Sequence, residues 1–126
     1  MAIRWYSLVI DSADPHALAT WWAKALGWTM TTDEPDEVWL EPPVQLDGPV
    51  RIPELCFVPV PEGKTVKNRL HLDLAPESDD DHAAMVQRLL DLGATRAEVG
   101  QRRGEVTWEV FTDPEGNELC LLSARE

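Results

Sequence analysis

Two stretches of the sequence decide the fold: residues 14–29 read DPHALATWWAKALGWT, and residues 80–95 read DDHAAMVQRLLDLGAT. Six residues recur between them at a constant separation of 66 positions. Asp14, His16, Ala17, Leu26, Gly27 and Thr29 match Asp80, His82, Ala83, Leu92, Gly93 and Thr95. The same order of helix-like and strand-like patterns surrounds both stretches. The repeat therefore indicates a duplicated structural unit.

The first stretch has the pattern of an amphipathic helix. Asp14 can cap the free N–H groups, and Pro15 fits the first helical position. Apolar residues at i, i+3, i+4 and i+7 form one face: Leu18, Trp21, Trp22 and Ala25. Gly27 is typical of a helix end. The second stretch predicts a corresponding helix over residues 78–92, with Gly93 after it.

Strand-like segments surround both helices, separated by turn residues. The predicted strands are residues 3–10, 28–32, 38–41 and 54–60 in the first half, and 69–74, 94–99, 105–112 and 119–123 in the second. Asp113-Pro-Glu-Gly116 predicts a turn before the last strand, since Pro presets φ and Gly tolerates positive φ. The pattern predicts one α+β domain over residues 1–126, built from two tandem βαβββ modules at about 1–61 and 66–126.

Composition restricts the partners. The chain has 126 residues and a formal net charge of −12, which disfavours nucleic acid and anionic membranes because both are polyanions. Its two cysteines, Cys56 and Cys120, form no CxxC pair or disulfide framework. No apolar stretch approaches the roughly 20 residues that span a bilayer. We expect a cytoplasmic protein with reduced thiols.

Four segments give the chain its family resemblance: LVIDSADPHALATWWAKALGW near the start, RLHLDL at 69–74, VQRLLDLGA at 86–94 and DPEGNELCLL at 113–122. With these segments the chain resembles the vicinal oxygen chelate superfamily, which includes glyoxalases, bleomycin-resistance proteins and extradiol dioxygenases. It looks most like the branch called glyoxalase-like domain proteins. The resemblance implies a curved, half-open mixed sheet around a central cavity, helices on the convex side, and a homodimer.

Strand alternation selects the side chains that would face this cavity. They are Trp5 and Ser7 on the first strand, Glu54 and Cys56 on the fourth, Arg69, His71 and Asp73 on the fifth, and Glu118 and Cys120 on the last. Trp39 and Trp108 would add aromatic walls beside Trp5, as small-molecule pockets commonly have. We predict that these residues bind a small polar or aromatic organic molecule.

The resemblance also locates the family's four metal-ligand positions. They fall at Ser7 or Trp5, at Glu54, at Arg69 or His71, and at Cys120. Only Glu54 is a secure match to the family's ligand at its position, so we expect no cofactor. If a divalent metal binds, Glu54, His71 and Cys120 would hold it, as three ligands and a water suit zinc.

Three functions remain open at this point. In a lyase or isomerase, Glu54 would be the general base, His71 an acid–base group or ligand, and Arg69 an anion clamp. A metal-free, drug-sequestering protein would instead hold a cationic aromatic compound against tryptophans. A structural dimer would need neither catalytic groups nor a ligand-binding site. His71 could simply hydrogen-bond to Asp73 or Arg69, Glu54 could pair with Arg69, and Cys120 could be a small buried filler.

Overall fold

The computed structural model describes residues 3–76, 82–97 and 108–123, and divides the chain into two compact units, Met1–Gly63 and Lys64–Glu126. The first unit contains β1 (Ser7–Ser12), α1 (Pro15–Leu26), β2 (Thr29–Glu34), β3 (Glu37–Glu41) and β4 (Glu54–Pro59). The second contains β5 (Leu72–Leu74), α2 (His82–Asp91), β6 (Thr95–Arg96), β7 (Trp108–Thr112) and β8 (Glu118–Leu122). No helix of the described residues is long and apolar enough to cross a membrane.

The predicted first helix is confirmed at both ends. Asp14 accepts a hydrogen bond from the Ala17 N–H at 3.2 Å, and Pro15 occupies the first turn. Gly27 ends the helix with φ at +71°, a conformation that side chains with a Cβ rarely adopt, and its N–H bonds to the Ala23 carbonyl. One face of α1 is buried, through Leu18, Ala19, Trp21 and Trp22.

The first unit packs this helix on a mixed sheet. Its strand order is β1-β4-β3-β2, with β1 parallel to β4 and the other pairs antiparallel. Alternate residues of β3 and β4 meet the helix side, where Leu40 and Phe57 have no exposed surface and Leu55 is 4% exposed. Truncating Phe57 to Ala would therefore cost about 3–5 kcal/mol.

The second unit repeats the arrangement. Its order is β5-β8-β7-β6, again with the first strand parallel to the last and the remaining pairs antiparallel. Phe111 and Leu119 lie opposite each other on β7 and β8, and both are fully buried. Thr29 and Thr95 each begin the strand after a helix, as the 66-residue repeat predicts. The α+β class and the two βαβββ modules are confirmed; the cavity shared by the modules stays a prediction.

Two predicted strands are too long at their N-terminal ends. The strand predicted from Ile3 begins only at Ser7. The strand predicted from Arg69 begins only at Leu72, and Leu70, predicted on the half-buried side, is 82% exposed. Residues 78–81 of the second helix and 98–99 and 105–107 of two strands lie outside the described residues.

Candidate functional site

A cluster of three chemically distinct side chains lies on the second unit. Asp73 of β5 is directly opposite Cys120 of β8, so both side chains share one face of the sheet. His71 immediately precedes β5, and its Nδ1 lies 3.1 Å from Oδ1 of Asp73. The ligand atoms of His71, Asp73 and Cys120 all lie within 4.8 Å of one another. We call these three residues the polar cluster.

Cys120 is a neutral thiol in this cluster. Burial raises the pKa of Cys120, and the negative charge of Asp73 and its hydrogen bond with the thiol raise it further; Lys67 opposes these effects. A neutral thiol can donate to the Asp73 carboxylate. Asp73 therefore interacts with both neighbours at once, and Cys120 is poorly suited to be a nucleophile in this arrangement.

Asp73 also orients the imidazole of His71. A carboxylate that accepts the Nδ1–H fixes the tautomer and leaves the Nε2 lone pair free for a proton or a metal ion. The side chains remain accessible, with 38% of His71 and 50% of Asp73 exposed. The arrangement can therefore transfer a proton to or from a bound molecule, or ligate a metal.

The donor set of the cluster fits a divalent metal. One nitrogen, one oxygen and one sulfur donor, with a water, make a tetrahedral zinc site. Binding would require Cys120 to lose its proton, which a metal ion promotes. The structure brings together His71 and Cys120 of the predicted ligand set and adds Asp73; Glu54 belongs to the first unit.

The first unit has a second group of acidic residues on one sheet face. Glu54 pairs in register with Ser7, and its side chain is hydrogen-bonded to Glu41 of the neighbouring strand. Burial raises the pKa of Glu54, the hydrogen bond and the charge of Glu41 raise it further, and Arg51 opposes these effects. Glu41 was missed at the sequence level, because only the register of β3 against β4 reveals it.

Aromatic side chains lie near this acidic pair. Cys56 pairs in register with Trp39, and its pKa is raised by burial and by the charge of Glu37. Tyr6 meets the Trp39 ring edge-on, with ring centroids 6.3 Å apart. Trp5, predicted on the first strand, precedes it, is 62% exposed and donates its indole N–H to the Ser7 carbonyl at 3.0 Å.

Three further predicted site residues, Glu118, Arg69 and Trp108, belong to the second unit and lie in different elements or segments of it. Glu118 accepts hydrogen bonds from the Lys64 ammonium at 3.1 Å and the Asn68 N–H at 2.9 Å. Burial raises the pKa of Glu118, but these hydrogen bonds outweigh it, so the pKa is lowered overall. Arg69 is exposed and precedes β5, not on it as predicted. Trp108 begins β7, and its side chain lies outside the described part of the chain.

The family model for the glyoxalase-like domain matches residues 7–122, from the start of β1 to the end of β8. The chain belongs to the glyoxalase-like domain family. Its predicted membership in the vicinal oxygen chelate superfamily is thereby confirmed. Among curated proteins, none matches this glyoxalase-like sequence.

Three solved structures share the fold of this glyoxalase-like protein at low sequence identity. Oxidase ChaP-H2 is 20% identical, with a TM-score of 0.65, over 100% of this chain and 96% of that one. A variant of the fosfomycin resistance protein FosX from Listeria monocytogenes, complexed with Mn(II) and 1S,2S-dihydroxypropylphosphonic acid, is 10% identical, with a TM-score of 0.74, over 99% and 93%. A glyoxalase-related enzyme from Fulvimarina pelagi is 13% identical, with a TM-score of 0.67, over 93% and 85%. Such identities establish a common fold alone.

Proposed function

We propose that the protein binds a small polar organic molecule at the polar cluster and transfers a proton on it, as a lyase or isomerase does. The observation that carries this proposal is the 3.1 Å contact between His71 Nδ1 and Asp73 Oδ1. It leaves Nε2 as the basic atom on an accessible sheet face. A histidine whose other ring nitrogen is held by a carboxylate is a common general base in enzymes.

The proposed step uses groups of this chain alone. Nε2 of His71 accepts a proton from the carbon next to a carbonyl group, and Asp73 stabilises the resulting imidazolium. The imidazolium then returns the proton to another atom of the same molecule, or to a leaving group. Arg69, exposed two residues earlier in the chain, would bind a carboxylate of the substrate. Glu54, with its raised pKa, is our second candidate for a proton-transferring group.

A divalent metal is an alternative use of the same residues, because Nε2 of His71 cannot bind a metal ion and accept a proton at once. His71, Asp73 and Cys120 would hold it, since their donor atoms lie within 4.8 Å of one another. When bound, it would supply Lewis-acid polarisation of a substrate oxygen. The solved FosX complex contains Mn(II), which supports a metal on this fold in that protein. Zinc suits the mixed nitrogen, oxygen and sulfur set of this chain better than a purely oxygen-binding ion does.

Zinc titration and a thermal-shift screen test the proposal. Metal-free protein is titrated with Zn²⁺ or Mn²⁺ by calorimetry, and small oxo acids such as pyruvate are screened as organic probes. His71→Ala and Asp73→Asn should each weaken the metal and oxo-acid responses by at least about tenfold. The matched control is His16→Ala, because His16 and Asp33 form another exposed histidine–aspartate pair, at 2.9 Å. Equal responses in His71→Ala and His16→Ala would contradict the proposal.

The first unit has an aromatic surface that supports a second candidate function, the binding of an organic cation without a metal. The Arg4 guanidinium lies 5.6 Å from the centroid of the Tyr6 ring, so this aromatic surface already accommodates a cation. Trp39 adjoins Tyr6, and Glu41 lies two residues beyond Trp39 on β3, on the same face. This combination suits an organic cation, as in a sequestering protein.

Tryptophan fluorescence can test this second function. Benzyltrimethylammonium is the probe, and benzyl alcohol is its neutral control. Tyr6→Leu and Glu41→Gln should weaken the response to the cation and leave any response to the alcohol unchanged. Identical titrations with the two probes would exclude the cation site.

A homodimer and a cytoplasmic location complete the proposal. The superfamily resemblance supports the dimer. Light scattering during size-exclusion chromatography tests it, with a mass near twice 14.2 kDa expected. Subcellular fractionation of the native host tests the location.

A further inference from the structure

Residues 64–71 form an irregular segment before β5, which we call the strap. It contains no helix or strand, and Lys67, Arg69 and His71 are exposed residues within it. Its apolar side chains do not anchor it, since Val66 is 75% and Leu70 is 82% exposed. Its attachment must therefore come from polar contacts.

Glu118 provides two such contacts at different points of the strap. One carboxylate oxygen lies 3.1 Å from the Lys64 ammonium, and the other accepts the Asn68 N–H at 2.9 Å. The Lys64 and Glu118 side chains are only 20% and 12% exposed. Hydrogen bonds to an ionised group shielded in this way are among the stronger polar contacts in proteins.

The register of the sheet connects this attachment to the polar cluster. Leu72 of β5 is opposite Leu119 of β8, so Glu118 adjoins the backbone position just before β5, which is His71. The chain is thus fixed at Asn68 by Glu118 and at Leu72 by the strand ladder. His71 lies between these two fixed points, which restricts where its imidazole can reach.

We propose that Glu118 is a positioning residue: it latches the strap to β8 and thereby holds His71 in contact with Asp73. The importance of this role for activity rests on the function proposed for His71, but the latch itself does not. At the sequence level Glu118 was predicted to bind ligand. The two contacts assign its carboxylate to the strap instead.

The tautomer of the His71 ring shows directly whether Glu118 holds His71 in contact with Asp73. Long-range ¹H–¹⁵N NMR of the histidine rings distinguishes Nδ1–H from Nε2–H. Wild-type His71 should show the Nδ1–H form that donates to Asp73. Glu118→Ala should shift it toward Nε2–H, Glu118→Gln should do so partially, and Glu62→Gln should have no effect. His16, paired with Asp33 in the other unit, is the internal reference.

Amide exchange provides the second readout. The Asn68 N–H should exchange about tenfold faster or more in Glu118→Ala, because its charged acceptor is gone. Unchanged His71 ring signals in folded Glu118→Ala, with His16 intact, would overturn the proposal. If Glu118→Ala does not fold, the His71 ring signals of Glu118→Gln and Lys64→Met are compared with those of wild type. Unchanged signals in both variants would then overturn the proposal. These outcomes need no ligand, so they are distinguishable from a failure of His71→Ala to alter metal or oxo-acid binding.

Discussion

At the scale of single residues, Glu54 gives the clearest pH dependence. Its pKa is raised above 4.5 by burial and by Glu41, so the folded chain binds more protons there than the unfolded chain. The contribution of Glu54 to the free energy of unfolding should then decrease as the pH rises from about 4.5 through the raised pKa. Glu54→Gln removes this penalty. Urea denaturation should show the variant to be more stable than wild type at neutral pH, and similar to it below the ordinary Glu pKa.

The control for this prediction is Glu62→Gln. Glu62 is exposed, so the same chemical change should not alter the pH dependence of unfolding. A stability difference between Glu54→Gln and wild type that does not change over the window, or a variant that is less stable at neutral pH, would contradict a raised pKa of Glu54 in the folded chain.

Cys120 allows a second residue-level prediction. Burial and the adjacent Asp73 raise its thiol pKa, so the thiolate that reacts with alkylating agents is scarce. Asp73→Asn removes the charge and should make Cys120 react severalfold faster with iodoacetamide, measured by peptide mass spectrometry. Cys56, on the other unit, is the internal reference and should keep its rate. Equal rates for Cys120 in both proteins would mean that burial alone controls it.

The sequence predicted some of these residue contacts and not others. Alternation along a strand is local, so it placed His71 on the same side as Asp73, and the cavity implied by the family resemblance put Cys120 on that face as well. The contact of Lys64 with Glu118 joins residues 54 positions apart. The pairing of Glu41 with Glu54 depends on which residues of two strands become neighbours. Neither contact has a local sequence signal, because register is set by packing.

At the scale of elements, the turn before β8 makes the sharpest prediction. Asp113 is 4% exposed, and its side-chain carboxylate accepts hydrogen bonds from the Glu115 N–H and from the Asn117 N–H and side-chain amide, at 2.9–3.0 Å. Asp113→Ala should cost about 2–3 kcal/mol, because it leaves three partly buried donors without their acceptor. Asp113→Asn keeps one acceptor oxygen and should cost less. Urea unfolding measures both.

A loss in Asp113→Ala below about 0.5 kcal/mol, the size of an ordinary surface substitution, would contradict this account of the turn. Pro114→Ala is a useful comparison in the same turn, since Pro114 is exposed. It should remove only the preset φ of the proline and cost less than Asp113→Ala.

The elements also differ in how well the sequence predicted them. Helix α1 was predicted from Asp14 to Gly27 because capping, apolar spacing and the terminal glycine are all local signals that agree. The strand over 69–74 had a strict alternation, but the structure has a strand only at Leu72–Leu74. In the register of β5 against β8, residues 69–70 fall opposite the turn before Glu118, where β8 begins, so they have no strand to pair with. Alternation reports a possible strand and cannot reveal where its partner strand begins.

At the scale of the whole molecule, the duplication is the feature that the sequence showed most directly. A constant offset of 66 residues predicted two copies of one unit, and both copies have the same strand order. Their surfaces have nevertheless diverged. The first carries a carboxyl pair beside aromatic rings, and the second carries an imidazole, a carboxylate and a thiol. Packing constrains the repeated core, whereas exposed faces can change without loss of the fold.

The net charge of −12 leads to a prediction for the entire chain. Excess like charge destabilises a compact state by self-repulsion, and added salt screens it. We expect the melting temperature at neutral pH to increase by about 2–5 °C between about 0.01 M and about 0.3 M NaCl. Salt also weakens the attraction between Lys64 and Glu118, which by itself would lower the melting temperature. This opposing effect is small, because the two side chains are only 20% and 12% exposed and are therefore screened less. Near pH 4.5, the isoelectric point, the salt effect should disappear. A melting temperature that falls with salt at neutral pH would instead mean that specific ion pairs outweigh the repulsion.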